Sequence, residues 1–495
     1  MSKIIIQNGN MCELDLPLKF AQKLYNEFAI RHPNAFYLRT RQRGMQNWDG
    51  KIHYITKTGQ FKIGLLPKVY DMCIEMGIKP KVVDMRQPLP KVSKVVTNIG
   101  KYKLRPEQEK AVKAVINNKI GNTPFHIGVL DYTVNAGKTL IMSSLYLSYK
   151  KQLKTLLITN DSDWLNQARE EFKQYLPGED ITFVQGKVLN WSNFTIGMVQ
   201  SISRNMRFYQ KELSQIDMVL IDEADQGGSK QYQNVITRLF NTRIRIGLSG
   251  TIYMSKLAKD KVKNMNLECF FGKVLAEFKL KDSIKKGYST KTVVKMVPGK
   301  PWYGNWESDC ISYKEIYDDS ITNCYTAWLM AYNRLLWNLN QGRYPALVVC
   351  KHIAHCENLY KFFKKKLGDA YNIAYVHVNT PSKLRQQIMR DFREGKIDIL
   401  VSTTIIARGK NFPKLRYLLN AASMDSQEKS IQFLGRLVRT DKSKKKVYLD
   451  DLHYPGPYLD RHGKHRKQYY QRQELKVILL DKLWKKHPNH SLIKS

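Results

Sequence analysis

The chain has 495 residues, 43% of them hydrophobic and 25% charged, which excludes a wholly disordered chain, a coiled coil and a collagen-like repeat. At ~150 residues per domain this length asks for about three domains. Against 43 Asp and Glu stand 82 Lys and Arg, a formal net charge of +39, and a globular protein this basic is expected to meet a polyanion, nucleic acid ahead of an anionic membrane or an acidic protein.

Seven scattered Cys without a CxxC pair point to a reducing compartment and no disulfide framework. The start MSKIIIQNGN lacks the apolar core of a signal peptide. No apolar run approaches the ~18 residues that span a bilayer. The expectation is a soluble, cytoplasmic chain.

Residues 1–95 read as a small basic α+β domain. Phe36, Tyr37, Arg39, Arg41, Arg43, Trp48, Lys51 and Tyr54 interleave rings and cations. Cations neutralise phosphates, and rings stack on opened bases or wedge a duplex. Arg41, Arg43, Trp48 and Lys51 are the candidate nucleic-acid contacts. The stretch Gln87-Pro88-Leu89-Pro90-Lys91 reads as a linker.

Over residues 96–275 apolar runs of strand length alternate with helical stretches: HIGVL, TLIMSSLYLSYKKQ, TLLIT, DWLNQAREEFKQYL, MVLIDEAD and IRIGLSG. That alternation predicts a parallel α/β sheet. The pattern weakens over 276–340, read as a connecting segment, and resumes over 341–455 with ALVVCKH, YNIAYVHV, KIDILVSTT and LRYLLNAAS. Residues 456–495 read as a basic helical tail with no further strand.

Between HIGVL and a helix lies Asp131-Tyr132-Thr133-Val134-Asn135-Ala136-Gly137-Lys138-Thr139. A bound phosphate needs backbone N–H groups at a helix N-terminus and a mobile cation. Gly137 permits close approach, Lys138 reaches the terminal phosphates, and Thr139 can ligate Mg²⁺. The full G-x-x-x-x-G-K-[ST] pattern is broken, because Tyr132 holds the place of its first Gly. Asn135 can still adopt a left-handed conformation.

The strand MVLID then ends in Asp222-Glu223-Ala224-Asp225. A strand-end Asp holds the Mg²⁺ shell in NTPases of this kind, and the adjacent Glu can orient or deprotonate water. In Gln432-Phe433-Leu434-Gly435-Arg436-Leu437-Val438-Arg439, two Arg at i and i+3 are expected on one helix face as sensors of the γ-phosphate. The segment Cys350-Lys351-His352-Ile353-Ala354-His355-Cys356 reads as a strand turning into a helix, since its spacing does not match a zinc site.

The ordered set resembles superfamily 2 helicases. Leu104-Arg105-Pro106-Glu107-Gln108 is similar to the Q-motif, Thr159 through Gln167 to motif Ia, and Gly197-Met198-Val199-Gln200-Ser201 to motif Ib. Ser249-Gly250-Thr251 matches motif III, and Thr403 to Gly409 with Asn411 is similar to motif V. Asn411 departs from the usual Asp, and Met198 from a usual Thr. Gln432-Phe433 at the start of the last motif departs from the DEAD-box pattern. Arg43-Gly44-Met45-Gln46-Asn47-Trp48-Asp49-Gly50 resembles the Asn-Trp-Asp-Gly signature of phage UvsW-type recombination helicases, and Tyr458 to Gly463 their tail.

The resemblance implies two RecA-like parallel-sheet domains in tandem, with ATP in the cleft between them and Mg²⁺ alongside. It places Arg105, Gln108, Asn135, Ala136, Gly137, Lys138, Thr139, Asp222 and Gly409 at the nucleotide. Thr139 and Asp222 are the Mg²⁺ ligands, and Lys138, Asp222, Glu223, Gln432, Arg436 and Arg439 form the catalytic set. Gln167, Gln200, Ser201 and Thr403 belong to nucleic acid, and Ser249 and Thr251 to coupling. The implied activity is ATP-dependent remodelling of branched DNA or R-loops by a monomer, in a host cytoplasm if the source is a phage. An RNA helicase of the same superfamily and a passive annealing protein remain the alternatives.

Overall fold

The run His126–Tyr132 is buried at every position, as a strand is when both faces of its sheet are covered. In the computed structural model it is the penultimate strand of a seven-stranded sheet. The structure describes residues 2–480 apart from 42–44, 150–151, 189, 254–259, 300–311, 408–411 and 442. It divides into two units, Met1–Phe278 and Lys279–Ser495.

The first sheet comprises β1 (His126–Tyr132), β2 (Thr155–Thr159), β3 (Ile181–Val184), β4 (Phe194–Met198), β5 (Met218–Asp222), β6 (Ile244–Ser249) and β7 (Val274–Phe278). Their order is β3-β4-β2-β5-β6-β1-β7, and every pair is parallel. Helix α1 (Pro106–Ile116) precedes β1, and α2 (Lys138–Ser148) follows it.

Ahead of this sheet, strands Lys3–Ile6, Met11–Asp15, Gln60–Lys62 and Lys81–Asp84 form a separate four-stranded sheet beside helices Leu18–Glu27 and Leu66–Glu75. This is the α+β domain expected from the sequence. It shares one apolar core with the larger sheet, in which Ile4, Phe61 and Leu66 join Ile127, Leu156 and Phe271. The fully buried Arg245 on β6 reinforces the junction, donating to the Gly9 carbonyl at 2.6 Å and Asn10 Oδ1 at 2.8 Å.

The second sheet comprises β8 (Lys291–Pro298), β9 (Ala346–Cys350), β10 (Ile373–Val376), β11 (Ile399–Thr403), β12 (Tyr417–Asn420), β13 (Lys446–His453) and β14 (Val477–Leu479). It is parallel throughout. Its order, β10-β11-β9-β12-β13-β8-β14, repeats the first sheet's permutation strand for strand. The tandem RecA-like α/β architecture inferred from the sequence is therefore present.

Two strands of this sheet come from outside 341–455. Strand β8 lies in the stretch read as a connection, because it buries only alternate residues over most of its length and so lacks a continuous apolar signature. Strand β14 pairs with β8 and corrects the expectation of no strand after Pro455. Its three residues are too short a signal beside a basic helix. That helix, α4 (Leu459–Arg472), is no loose tail, since His462, Arg466, Tyr469 and Tyr470 are all buried. Arg466 meets Asp451 of β13 at 2.8 Å with both side chains fully buried, and Tyr470 donates to the same carboxylate at 2.7 Å.

Candidate nucleotide site and nucleic-acid face

Strands β5, β6 and β1 lie side by side, and their C-terminal ends carry the three motifs that bear on a nucleotide. Open α/β sheets bind ligands at this edge. The loop after β1 bends through Asn135 at φ 64° and Gly137 at φ 71°, the left-handed region that Asn tolerates and Gly prefers. Helix α2 then begins at Lys138, so its free N–H groups open onto the loop. Tyr132 does not obstruct the bend. Its ring is buried below, and its hydroxyl donates to the Glu107 carbonyl at 2.7 Å.

Gln108 has a firmer task here than its motif suggested. It is fully buried. Its amide donates to the Ala136 carbonyl at 2.8 Å and accepts from the Arg105 N–H at 2.8 Å. Arg105 reaches the Asn135 carbonyl at 3.3 Å. Both side chains therefore hold the loop from α1. A Cβ added at Gly137 would lie 2.3 Å from Gln108 Nε2, so this glycine is needed for space as well as for conformation.

Asp222 ends β5 and is buried, while Glu223 follows in a left-handed turn at φ 53°. Burial pushes the Glu223 carboxyl up to about 8, helped by Asp222, Asp225 and Asp161 and opposed by Lys138. Burial also raises Asp222, with Lys138 pulling it back. Asp222 Oδ1 and Glu223 Oε2 are buried without a hydrogen bond from any described residue. Unsatisfied carboxylate oxygens beside a lysine and a helix N-terminus fit a magnesium-bound triphosphate, which would bring the missing positive charge and water.

Ser249, at the end of β6, donates to Asp225 Oδ1 at 2.6 Å and lies 3.1 Å from Thr251 Oγ1. Asp225 stands in the quoted tetrapeptide, yet sequence reasoning gave it no role.

The candidate nucleic-acid residues are less uniform. Gln200, at the start of the helix after β4, donates to the Asn160 carbonyl at 3.3 Å, and its Oε1 is buried without a described partner. Ser201 caps the Gly186 N–H at 2.9 Å. Gln167 is exposed and bonded to Glu171 on its own helix. Thr403 ends β11 and is buried. In the N-terminal domain Arg41 and Lys51 are exposed. Trp48 is half-buried, donating from its indole to the Lys51 carbonyl at 2.9 Å and meeting the His32 ring edge-on. The open rings are Phe36 and Tyr37, at 80% and 55% exposure. Arg43 and Gly409, with Asn411, lie outside the described residues.

In the second unit Gln432 and Arg436 lie on helix α3 (Gln427–Leu437) and are half-buried. Arg439 does not share that helix, which corrects the expected common face. It follows the cap residue Val438, and its carbonyl accepts from Thr290 Oγ1 at 3.1 Å. Cys350 and Cys356 are buried at a strand end and in the following helix. No helix among the described residues is long and apolar enough to cross a membrane.

Residues 101–254 match the family described as type III restriction enzyme, res subunit, and residues 329–441 the helicase conserved C-terminal domain. The ATP-dependent DNA helicase uvsW of Enterobacteria phage T4 is 22% identical over 82% of each chain. The ATP-dependent RNA helicase RhlB of Shewanella woodyi is 32% identical, over 22% of this chain and 24% of its own. Two further helicase-named relatives are longer, and the chain spans 64% and 51% of them. Among solved structures, the ATP-dependent Type ISP restriction-modification enzyme LlaBIII bound to DNA shares the fold. Its TM-score is 0.58 at 16% identity, covering 82% of this chain and 34% of that one.

Proposed function

We propose that this chain, which belongs to the superfamily 2 helicases, couples ATP hydrolysis to the remodelling of branched DNA and RNA–DNA hybrids. The observation that carries the reading is the convergence of the 135–139 loop, the Asp222–Glu223 pair and the Ser249–Asp225 bond on three adjacent strand ends. Passive binding of nucleic acid needs none of these.

Bound Mg²⁺·ATP supplies the scissile phosphoanhydride and the counter-charge for the carboxylates. The loop N–H groups, with Lys138, bind and orient the phosphates. Thr139 and Asp222 would hold the metal. Glu223 takes the proton of the attacking water, a task matched to a carboxyl whose affinity for protons is already high. Gln432, Arg436, Arg439 and Gly409 complete the set by their place in the sequence pattern, the arginines acting on developing charge. Gln108 and Arg105 position the loop. Ser249 and Thr251 transmit the state of the nucleotide, and successive states move the nucleic acid stepwise.

DNA is favoured over RNA because similarity to a DNA helicase extends over 82% of the chain, whereas the relative named for RNA matches 22%. The +39 charge supports phosphate contacts through Arg41, Arg43, Lys51, Gln167, Gln200, Ser201 and Thr403, with binding that weakens steeply as salt rises. A monomer in the cytoplasm, that of the host cell if the source is a phage, is the working form.

The test is ATP hydrolysis titrated with single-stranded, forked, four-way, R-loop and RNA substrates. Forked, four-way or R-loop DNA should stimulate at the lowest concentration, and Lys138→Ala and Glu223→Gln should abolish turnover while leaving DNA binding in place. Near wild-type turnover in both variants sinks the mechanism. Equal or better stimulation by RNA sinks the substrate assignment alone.

A further inference from the structure

Pro457, Tyr458 and Leu459 form a tight turn between β13 and α4. The Leu459 N–H donates to the Pro457 carbonyl at 2.6 Å, an i to i+2 bond. Tyr458 at its centre has φ 59° and ψ −48°. This is the positive-φ form of the γ-turn, which is rare and strained because a Cβ crowds the backbone there. Glycine would remove the crowding, yet the chain has tyrosine. The side chain it gains leaves 42% of its surface open to solvent.

The surroundings of that ring are cationic and aromatic. Arg461, one turn along α4, lies 5.8 Å from the Tyr458 ring. Tyr313 meets Tyr458 edge-on at 5.9 Å, and its hydroxyl is buried without a partner among the described residues. Lys351, which follows β9, sits 3.9 Å from the Tyr313 ring. Lys429 is a neighbouring cation of Lys351, with Asp318 the facing carboxylate. Lys429 also reaches Thr404, which follows β11, at 3.3 Å. Asp460, beside the turn, is engaged by His453 and Lys464. A row of cations and rings thus runs along the C-terminal edge of the second sheet and finishes at the strained tyrosine.

We propose that Tyr458 is a base-stacking platform for single-stranded nucleic acid, with Lys351 and Arg461 holding the flanking phosphates. Alternating rings and cations are what an unpaired strand offers contacts to, since every base has a π-face and every linkage a charge. The backbone strain persists because it aims the ring outward. The inference rests on the nucleic-acid reading above and extends it to a tyrosine to which that reading gave no contact.

The experiment uses the full-length protein with fluorescein-labelled oligo-dT and oligo-U, and with oligomers carrying 5-iodouracil for photo-crosslinking. Wild type should crosslink at Tyr458. Tyr458→Gly should lose that crosslink, bind about five- to tenfold more weakly, and melt at or above the wild-type temperature with unchanged hydrolysis in the absence of nucleic acid. Tyr458→Phe should bind like wild type. The dT and U arms decide which strand chemistry is preferred. If Tyr458→Gly melts lower and binds as tightly as wild type, or if no crosslink maps to Tyr458 while binding is intact, the inference fails and the broader reading stands. If wild type binds neither oligomer but does bind forked DNA, the inference alone fails; if it binds neither the oligomers nor forked DNA, the broader reading fails with it.

Discussion

The hydroxyl of Ser249 donates to Asp225 Oδ1 at 2.6 Å, between the end of β6 and the turn that follows β5. Asp225 is three residues beyond Asp222, so a displacement of either carboxylate is felt at Ser249. A buried bond to a charged acceptor contributes on the order of 2 kcal/mol. Ser249→Ala is expected to leave ATP binding within a few-fold of wild type and to lower strand separation by at least tenfold. Parallel measurement of hydrolysis and of forked-duplex unwinding checks this, and equal losses in both would make the bond merely structural.

Glu223 sets a pH dependence. In the folded, ligand-free chain its carboxyl is raised to about 8 by burial among Asp222, Asp225 and Asp161, so between the ordinary glutamate range and that value the folded state holds a proton the unfolded state has released. The associated stability is therefore complete at low pH and is lost as pH rises towards 8. After allowance for solvent around a partly exposed side chain, the effect is on the order of 2 kcal/mol. The melting temperature should fall between about pH 5 and pH 8 in wild type. Glu223→Gln should flatten that fall, and so should a magnesium-bound ATP analogue, which favours the ionised form.

Gln108→Ala should damage the nucleotide site through the loop that Gln108 holds. It leaves the Ala136 carbonyl and the Arg105 N–H without their buried partner, a cost of about 1–3 kcal/mol. The expected outcome is a rise in KM for ATP of tenfold or more, measured beside a melting curve showing that the fold survives. Gly137→Ala should be more severe, because a Cβ there meets Gln108 and is strained at the left-handed φ that the position has.

The fully buried pair Arg466 and Asp451 holds α4 against the second sheet. Arg466→Met strands a carboxylate in the interior, which costs about 3–5 kcal/mol. Thermal unfolding should shift down by several degrees, and limited proteolysis should cut near residues 456–472 in the variant before the wild type.

In the N-terminal domain, Phe36→Ala should weaken binding to forked DNA several-fold. Trp48→Phe removes the indole bond to the Lys51 carbonyl but keeps an aromatic ring, so it should weaken binding less than Phe36→Ala and lower the melting temperature slightly. Fluorescence anisotropy with a forked substrate separates the two.

Much of this was legible in the sequence where the signals are local. Continuous apolar strands announced both parallel sheets, and Gly137, Lys138, Asp222 and Glu223 stood out because phosphate and magnesium demand those residues at strand ends. What escaped depends on distant partners. Strand β8 reads as a connection because its alternating pattern resolves only once β13 and β14 flank it. Arg439 fits a helical spacing that the helix does not continue to satisfy. The aromatic–basic composition around residues 36–51 was visible, but which ring faces solvent is a tertiary outcome.

The position of β8 also bears on how the chain acquires its form. It pairs with Lys446–His453 on one side and Val477–Leu479 on the other, so its neighbours are made long after it is. A ribosome must reach Leu479 before the second sheet can close, whereas the first sheet is complete by Phe278. Pairings this far apart in sequence fold slowly, and an unpaired β8 would be an exposed edge throughout that wait. Its Lys291 and Lys295 put charge on the waiting strand, a safeguard against pairing with the same strand of another nascent chain.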